Sequence, residues 1–274
     1  MASESSNNGK RLEGRTAVVT GSSTGNGRSI ALALAAEGAN VVCSDLREEV
    51  HPDALDEHGP GNTHVLIEER GGKATFVKAD VTSAEDMKAL AETAVETFGG
   101  LDIWVNNAGI GVGGTIFEET QEQFEQTYRV NVTGTWLGAQ AAARVMKTGE
   151  RTGRSRGRII NMGSVAAEIG QGPGIAAYAS SKGAVHALTR ELAIELAPEF
   201  INVNAIAPGY FLNTAMNRAV RESAEFTELA LSKHPWPEMA PTTDLGRAVA
   251  FLASDDAAWI TGVILPVDGG LLAT

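Results

Sequence analysis

Seven short runs of apolar, largely β-branched residues recur along the chain, and several of the stretches between them carry helical periodicity. The runs are "TAVVTG", "ANVVCSDL", "ATFVKADV", "LDIWVNNAG", "GRIINMGS", "INVNAIAPG" and "GVILPVDGG". They read as parallel strands covered on both faces. In "SAEDMKALAETAVETFGG", Met87, Leu90, Ala91, Ala94, Val95 and Phe98 share one helical face, with Ser83 placed to cap the start and Gly99 to end it. Parallel strands need right-handed crossovers, so the alternation predicts a doubly wound, Rossmann-type α/β fold: a seven-stranded parallel sheet with helices on both faces. At 274 residues, 43% hydrophobic and 20% charged, the chain suits a single domain over 12–274 behind a flexible polar tail at 1–11.

Composition narrows the function classes. "MASESSNNGK" lacks the apolar core of a secretory signal, and no apolar run approaches the ~20 residues of a membrane span, so a cytoplasmic protein without membrane contact is expected. A formal charge of −12 weighs against nucleic acid as a partner. The basic segment Lys147 to Arg158 reads as a solvated surface loop, with an anion contact as the alternative. Cys43, the single cysteine, lies in a strand-like run and reads as a buried structural thiol. His51, His58 and His64 share the stretch 47–64 with Asp53, Asp56 and Glu57, but their spacing around Pro52 and Pro60 does not suit a metal. No metal is expected, and the stretch reads as a solvated loop.

Ligands of such sheets bind beyond the carboxyl ends of the strands. After the first strand, Gly21, Gly25 and Gly27 form a turn into a helix that begins near Arg28. Without side chains there, backbone amides can approach a pyrophosphate at the positive end of the helix dipole. The spacing is G-x-x-x-G-x-G rather than G-x-G-x-x-G, and a plain glycine-rich turn is the alternative. Asp45 ends the second strand, where a carboxylate can accept hydrogen bonds from ribose hydroxyls and repel a 2′-phosphate. NAD is therefore favoured, while nearby Arg47 keeps NADP open. Asp80 follows the third strand and could accept from an adenine amine or cap a helix.

Tyr178 and Lys182 stand four apart in a helical stretch and so face the same way. An adjacent ammonium lowers a phenol's pKa from its usual value of ~10, which makes the pair a candidate acid/base. Ser164 follows the fifth strand and could donate a hydrogen bond to a substrate oxygen as charge develops on it.

With these motifs the chain resembles the short-chain dehydrogenase/reductase family from Leu12 to Gly270. "TGSSTGNG" resembles the cofactor loop, "NNAG" at Asn106 to Gly109 the segment that stabilises the central sheet, and "YRVNVTG" the helix bearing a catalytic asparagine, here Asn131. Ser164, "YASSK" and Pro208–Gly209 complete the pattern. The resemblance implies catalysis by Asn131, Ser164, Tyr178 and Lys182. Tyr178 would exchange a proton with the substrate oxygen, Ser164 would orient that oxygen, and Lys182 would bind the nicotinamide ribose and depress the phenol pKa. Asn131 would hold a water linking Lys182 to solvent. The implied cofactor site comprises Gly21, Ser23, Gly25, Asn26, Gly27, Asp45, Leu46, Asp80, Val81, Asn107, Ala108, Gly109, Tyr178, Lys182, Pro208, Gly209 and Thr214.

Four features depart from the family pattern. Asn26 replaces an aliphatic residue, Ser164 and Tyr178 are one residue further apart, Thr214 falls one place late, and the connection after Asp45 is longer. The resemblance implies interconversion of a secondary alcohol and a ketone with NAD(H), by a homotetramer. The alternatives are an NADPH-dependent reductase of 3-oxoacyl thioesters and a non-catalytic redox sensor. Substrate walls are expected from "IGVGGTIF", from 168–175 including Glu168, and from a lid at about 210–240. In that lid Tyr210, Phe211, Leu212, Met216, Phe226, Leu229 and Trp236 could form an apolar wall or pack among themselves.

Overall fold

A computed structural model describes residues 10–54, 57–211, 214, 218 and 222–274, with the Phe226 side chain excepted. The first nine residues of the tail, Asp56, Leu212 and Met216 lie outside the described residues.

Each apolar run becomes a strand: β1 Thr16–Thr20, β2 Asn40–Asp45, β3 Lys73–Lys78, β4 Ile103–Asn106, β5 Gly157–Met162, β6 Ile201–Pro208 and β7 Ile264–Val267. All pair in parallel, in the order β3-β2-β1-β4-β5-β6-β7. The order reverses between β1 and β4, which fixes the switch point there. The helices are α1 Gly25–Ala36, α2 Thr63–Glu69, α3 Ala84–Phe98, α4 Gln121–Tyr128, α5 Gly134–Thr148, α6 Ala176–Leu196, α7 Ala224–Ser232 and α8 Thr242–Ala253. A π-helical turn, Arg129–Thr133, joins α4 to α5.

Successive side chains of a strand alternate between the faces of the sheet, and the core divides accordingly. Val19 and Val41 pack with Ile30, Leu34, Leu245 and Val249 of α1 and α8 on one face. Val18 and Val42 pack with Met87, Leu90, Trp104 and Met146 on the other. Each fully buried side chain of this size contributes roughly 1.5–3 kcal/mol. Strands β1, β4 and β5 are buried throughout, whereas the edge strands β3 and β7 are only partly covered, because each lacks a neighbour on one side.

Helix α3 follows the expected pattern at both ends. The Ser83 hydroxyl accepts from the Asp86 N–H at 3.1 Å, and Gly99 closes the helix at φ 86°. Val95 does not join the buried face and is 39% exposed. At ~100° per residue it lies about 80° round from Met87, on the flank of the stripe. Cys43 is sealed in the core, where burial pushes its thiol pKa up to about 12.

Two segments differ from their sequence reading. Arg158 belongs to β5 and is buried, with its guanidinium 2.7 Å from Asp255. Arg151 and Arg154 lie over the rings of Phe200 and Trp259. The stretch 47–64 is anchored to the domain rather than freely solvated. Buried Arg28 donates to the carbonyls of Gly59 (2.7 Å) and Gly61 (2.8 Å), and Glu57 accepts from the Thr242 N–H at the start of α8 (3.0 Å). His58 Nε2 meets Ser29 Oγ at 2.5 Å. These contacts follow from α1 beginning at Gly25, earlier than expected, which carries Arg28 inside the helix with its side chain toward the insertion. Among the described residues no cluster of potential metal ligands occurs, and no helix is long and apolar enough to cross a membrane.

Candidate active site

A cavity of about 750 Å³ lies along the carboxyl ends of the strands. One end is formed where β1, β2, β3 and β4 stop. Gly21, Gly25, Asn26 and Gly27 line it with Asp45, Leu46, Asp80 and Val81, and Asn107, Ala108 and Gly109 follow β4. Pro208 and Gly209 at the end of β6, and Thr214 beyond them, also line the cavity. Thr214 stands against the glycine loop, its Cγ2 3.4 Å from where a Cβ on Gly25 would lie. Ser23 is buried outside the lining, and its hydroxyl donates to the Arg47 carbonyl at 2.6 Å. The neighbouring Thr24 lines the cavity instead.

The loop is built for close backbone approach. A Cβ on Gly27 would lie 2.0 Å from the Gly21 carbonyl oxygen, so no larger residue fits without moving the main chain. Asn107 braces the same turn by donating from Nδ2 to the carbonyls of Thr20 (2.9 Å) and Gly21 (3.0 Å). The hydroxyl of Thr24, the N-cap of α1, makes no cap hydrogen bond, and Thr24 Oγ1 and Asn26 Oδ1 are buried without a protein partner. An orphaned hydroxyl at a helix N-terminus is costly unless a ligand accepts from it, and a pyrophosphate, which would accept from Thr24 Oγ1 and the free N–H groups, fits this cradle; Asn26 Oδ1 is an acceptor and adds nothing to that fit. Asp45 Oδ1 accepts from the Leu46 N–H at 2.8 Å and Oδ2 from the Ser23 N–H at 3.2 Å, which fixes a carboxylate at the cavity wall. Asp80 Oδ1 accepts from the backbone and hydroxyl of Thr82 in a local turn, while Ser83 caps α3.

Ser164, Tyr178 and Lys182 all line the same cavity. The Ser164 hydroxyl, which accepts from the Ala166 N–H at 3.1 Å, stands near enough to Tyr178 to bear on its ionisation. Between them, at 170–174, Gly172 (φ 139°) and Gly174 (φ 86°) turn the chain. Lys182 Nζ is 5.6 Å from the centre of the Tyr178 ring and donates to the Met162 carbonyl at 2.7 Å. Burial pushes the Lys182 pKa down to about 8. Burial also raises the Tyr178 pKa, offset only in part by the Ser164 hydroxyl. The expected depression of the phenol pKa by Lys182 is therefore not found, because desolvation dominates and the ammonium is engaged by Met162.

Asn131 is buried behind the cavity wall, in the π-helical turn. Its Nδ2 donates to the Ile110 carbonyl (2.9 Å) and Ser181 Oγ (3.0 Å), and its Oδ1 accepts from the Ile110 N–H (2.9 Å). A Cβ on Gly109 would touch both Asn131 Oδ1 (3.2 Å) and Lys182 Nζ (3.4 Å), so the two side chains converge on that glycine. π-Helical turns of this kind are frequent at functional sites.

The other end of the cavity is formed by Gly113, by 171–175 and by Tyr210 and Phe211. Phe211 is also part of the core. Leu229 and Trp236 are 51% and 60% exposed and do not join the wall. Glu168 faces neither the substrate space nor water alone: its Oε1 is 2.9 Å from Nδ1 of buried His186. Sequence reading missed His186, although its place four residues after Lys182 puts it on the face of α6 that carries Tyr178. It also missed a buried polar ladder in which Asn106 Nδ2 donates to Asn161 and Asn161 Nδ2 to Thr189, tying β4 and β5 to α6.

Comparison with known proteins extends this picture. Residues 21–272 match a family model described as Enoyl-(Acyl carrier protein) reductase. The chain is 41% identical over 260 residues to 3beta-hydroxysteroid dehydrogenase 1 of Eggerthella lenta, covering 95% of this chain and 94% of that protein. It is 38% identical over 263 residues to glucose 1-dehydrogenase 2 of Bacillus subtilis, with 96% of each chain covered. A solved gluconate 5-dehydrogenase from Burkholderia cenocepacia, in complex with NADP and tartrate, superposes with a TM-score of 0.85 at 34% identity, covering 96% of this chain and 97% of that one.

Proposed function

The chain belongs to the short-chain dehydrogenase/reductase family of nicotinamide-dependent oxidoreductases, and from that premise we propose that it interconverts a secondary alcohol and a ketone with NAD(H). The observation that carries the reading is that Ser164, Tyr178 and Lys182 line one cavity together with a glycine cradle. When bound, the nicotinamide supplies or takes up hydride at the substrate carbon.

The protein's own groups do the remaining work. In the reducing direction the buried, protonated Tyr178 phenol gives its proton to the carbonyl oxygen, and Ser164 donates a hydrogen bond to that oxygen. In the oxidising direction Tyr178 first gives up its proton toward Lys182 and solvent, and the resulting phenolate takes the alcohol proton. Lys182, held by the Met162 carbonyl, supplies positive charge beside the phenol and a contact for the cofactor ribose. Asn131 ties the π-helical turn to Ile110 and Ser181 and so fixes the floor beneath Lys182; in this reading the relay water lies between Asn131 and Lys182. Gly21, Gly25 and Gly27 with Thr24 hold the pyrophosphate, and Asp45 the adenosine ribose.

The Asp45 carboxylate would repel a 2′-phosphate, which supports NAD. Arg47, which also lines the cavity, supports the second reading of NADPH-dependent reduction of a 3-oxoacyl thioester. Exposed Trp136 on α5 and Ile194 on α6 support assembly as a homotetramer through these helices.

Tyr178→Phe tests the assignment. NADH binding, followed by fluorescence titration, is expected to persist while turnover over a panel of ketones falls by roughly 100-fold or more. Near-normal turnover by the variant would refute the role of Tyr178, and equal wild-type rates with NADH and NADPH would remove the argument from Asp45.

A further inference from the structure

Tyr178, Lys182 and His186 repeat at four-residue intervals on α6, and only the first two have a part in the proposed chemistry. His186 is 2% exposed, and both of its ring nitrogens are engaged. Nδ1 lies 2.9 Å from Glu168 Oε1, and Nε2 lies 3.4 Å from the backbone nitrogen of Ser164. The amide of Ser164 is a donor only, so Nε2 offers its lone pair and Nδ1–H donates to Glu168. The contact needs a glycine before Ser164, since a Cβ on Gly163 would lie 2.2 Å from Nε2. Glu168 closes the short 3₁₀ turn Val165–Ala167 that follows Ser164. The imidazole therefore grips both ends of the turn that carries Ser164 and fastens it to the helix that carries Tyr178.

We infer that Glu168 and His186 are a positioning pair: neutral His186 holds the Ser164 turn so that its hydroxyl meets Tyr178, and protonation of His186 releases it. The inference rests on the proposed role of Ser164 and adds a residue pair to that site.

The direction of the pH effect follows from the donors. An imidazolium carries N–H on both nitrogens, so Nε2–H would face the Ser164 N–H, donor against donor, and the turn would lose its anchor. The charged groups acting on His186 are Glu168 from the 3₁₀ turn and Lys182 and Arg190 from its own helix. Burial lowers the His186 pKa from its usual value, and Lys182 and Arg190 add to this, while Glu168 raises it. The ring is thus neutral at pH 7, and the release occurs on the acid side.

Three variants separate positioning from packing. His186→Leu fills the space without an acceptor and is expected to lower kcat roughly tenfold across the pH range, the scale of one lost buried hydrogen bond, with the KM for cofactor unchanged. His186→Gln restores an acceptor that does not titrate; it should recover activity relative to His186→Leu and lose the acid limb of the kcat profile. Glu168→Gln removes the anion that favours the imidazolium and should move that limb to lower pH. An unchanged acid limb in His186→Gln and Glu168→Gln, or a His186→Leu variant as active as the wild type, would overturn the inference.

A second readout needs no turnover. In protein labelled with ¹⁵N-serine and ring-labelled histidine, the Ser164 amide signal should titrate with the His186 ring in the wild type and stay fixed in His186→Gln. A Ser164 signal that ignores His186, or that still titrates in the variant, would overturn it equally. If the wild type turned over no substrate, the proposed function would fail while this measurement still decided the coupling.

Discussion

At the end of the cavity nearest β2, most lining residues stand within a few positions of a strand terminus: Gly21 after β1, Asp45 at the end of β2, Asp80 after β3 and Asn107 after β4. At the opposite end the wall comes from the 171–175 turn and from Tyr210 and Phe211, segments that reach the cavity through loops. The parallel register fixes the first group, because each strand must stop at the same edge of the sheet. The second group is set by turn geometry and by packing between loops, so it tolerates different lengths and side chains. The strand-end wall is thus nearly determined by the fold, and the loop-built wall is where chains of one architecture can diverge.

The most severe test of that contrast is Gly27→Ala. The added carbon would meet the Gly21 carbonyl at 2.0 Å, a backbone atom that cannot yield without displacing the end of β1. Overpacking of this kind costs about 3 kcal/mol or more, so NADH affinity is expected to fall by roughly 100-fold in a fluorescence titration. A loss below about threefold would show that the strand-end loop is as adaptable as the loop-built wall.

A middling effect is expected from Lys182→Met. The unfolded chain keeps the Lys182 proton up to its ordinary pKa of 10.5, whereas the folded chain releases it at about 8. The cost of burying the ammonium is therefore borne in full below pH 8 and fades as the pH rises from 8 toward 10.5. The apo variant should melt roughly 2–4 °C above the wild type at pH 7, with the lost Met162 hydrogen bond offsetting part of the gain, and this advantage should shrink above pH 8. Calorimetry at pH 7 and pH 9.5 checks the sign, and turnover should be lost at both. A variant less stable than the wild type at pH 7 would mean that the cavity wall at Lys182 is not strained.

The smallest effect belongs to the contact between the insertion and the lid segment, where Asp53 Oδ1 meets Arg218 Nη1 at 2.5 Å with both side chains well exposed. Exposed pairs contribute little, so Asp53→Ala should change the NADH dissociation rate by less than about threefold in stopped flow. A tenfold change would make the insertion a working part of the site.

These differences also explain what the sequence could convey. The seven strands, the caps of α3 and the convergence of Ser164, Tyr178 and Lys182 were legible because each depends on local periodicity or on residues adjoining a strand. The anchoring of 47–64 was not, since it relies on Arg28, Glu57 and His58 reaching partners far away in the chain. The direction of the Tyr178 pKa shift was missed for a related reason: a four-residue spacing shows that two side chains face alike, but not how much water their surroundings exclude. Thr24 rather than Ser23 lines the cavity because Ser23 turns its hydroxyl to Arg47 across the loop, a choice made by tertiary contact. His186 left a visible trace in its i+4 relation to Lys182, yet its meaning depends on Glu168 and Gly163 being brought beside it.

Arg28 has a consequence for anyone wishing to exchange the cofactor preference of this enzyme by transplanting the segment after β2. Its guanidinium rivets that segment to the first helix from inside the protein, so the graft and its mooring form a single module. A shorter loop from a relative would leave the cation facing no carbonyls, and the graft would need a new residue at position 28 before its effect on cofactor choice could be read.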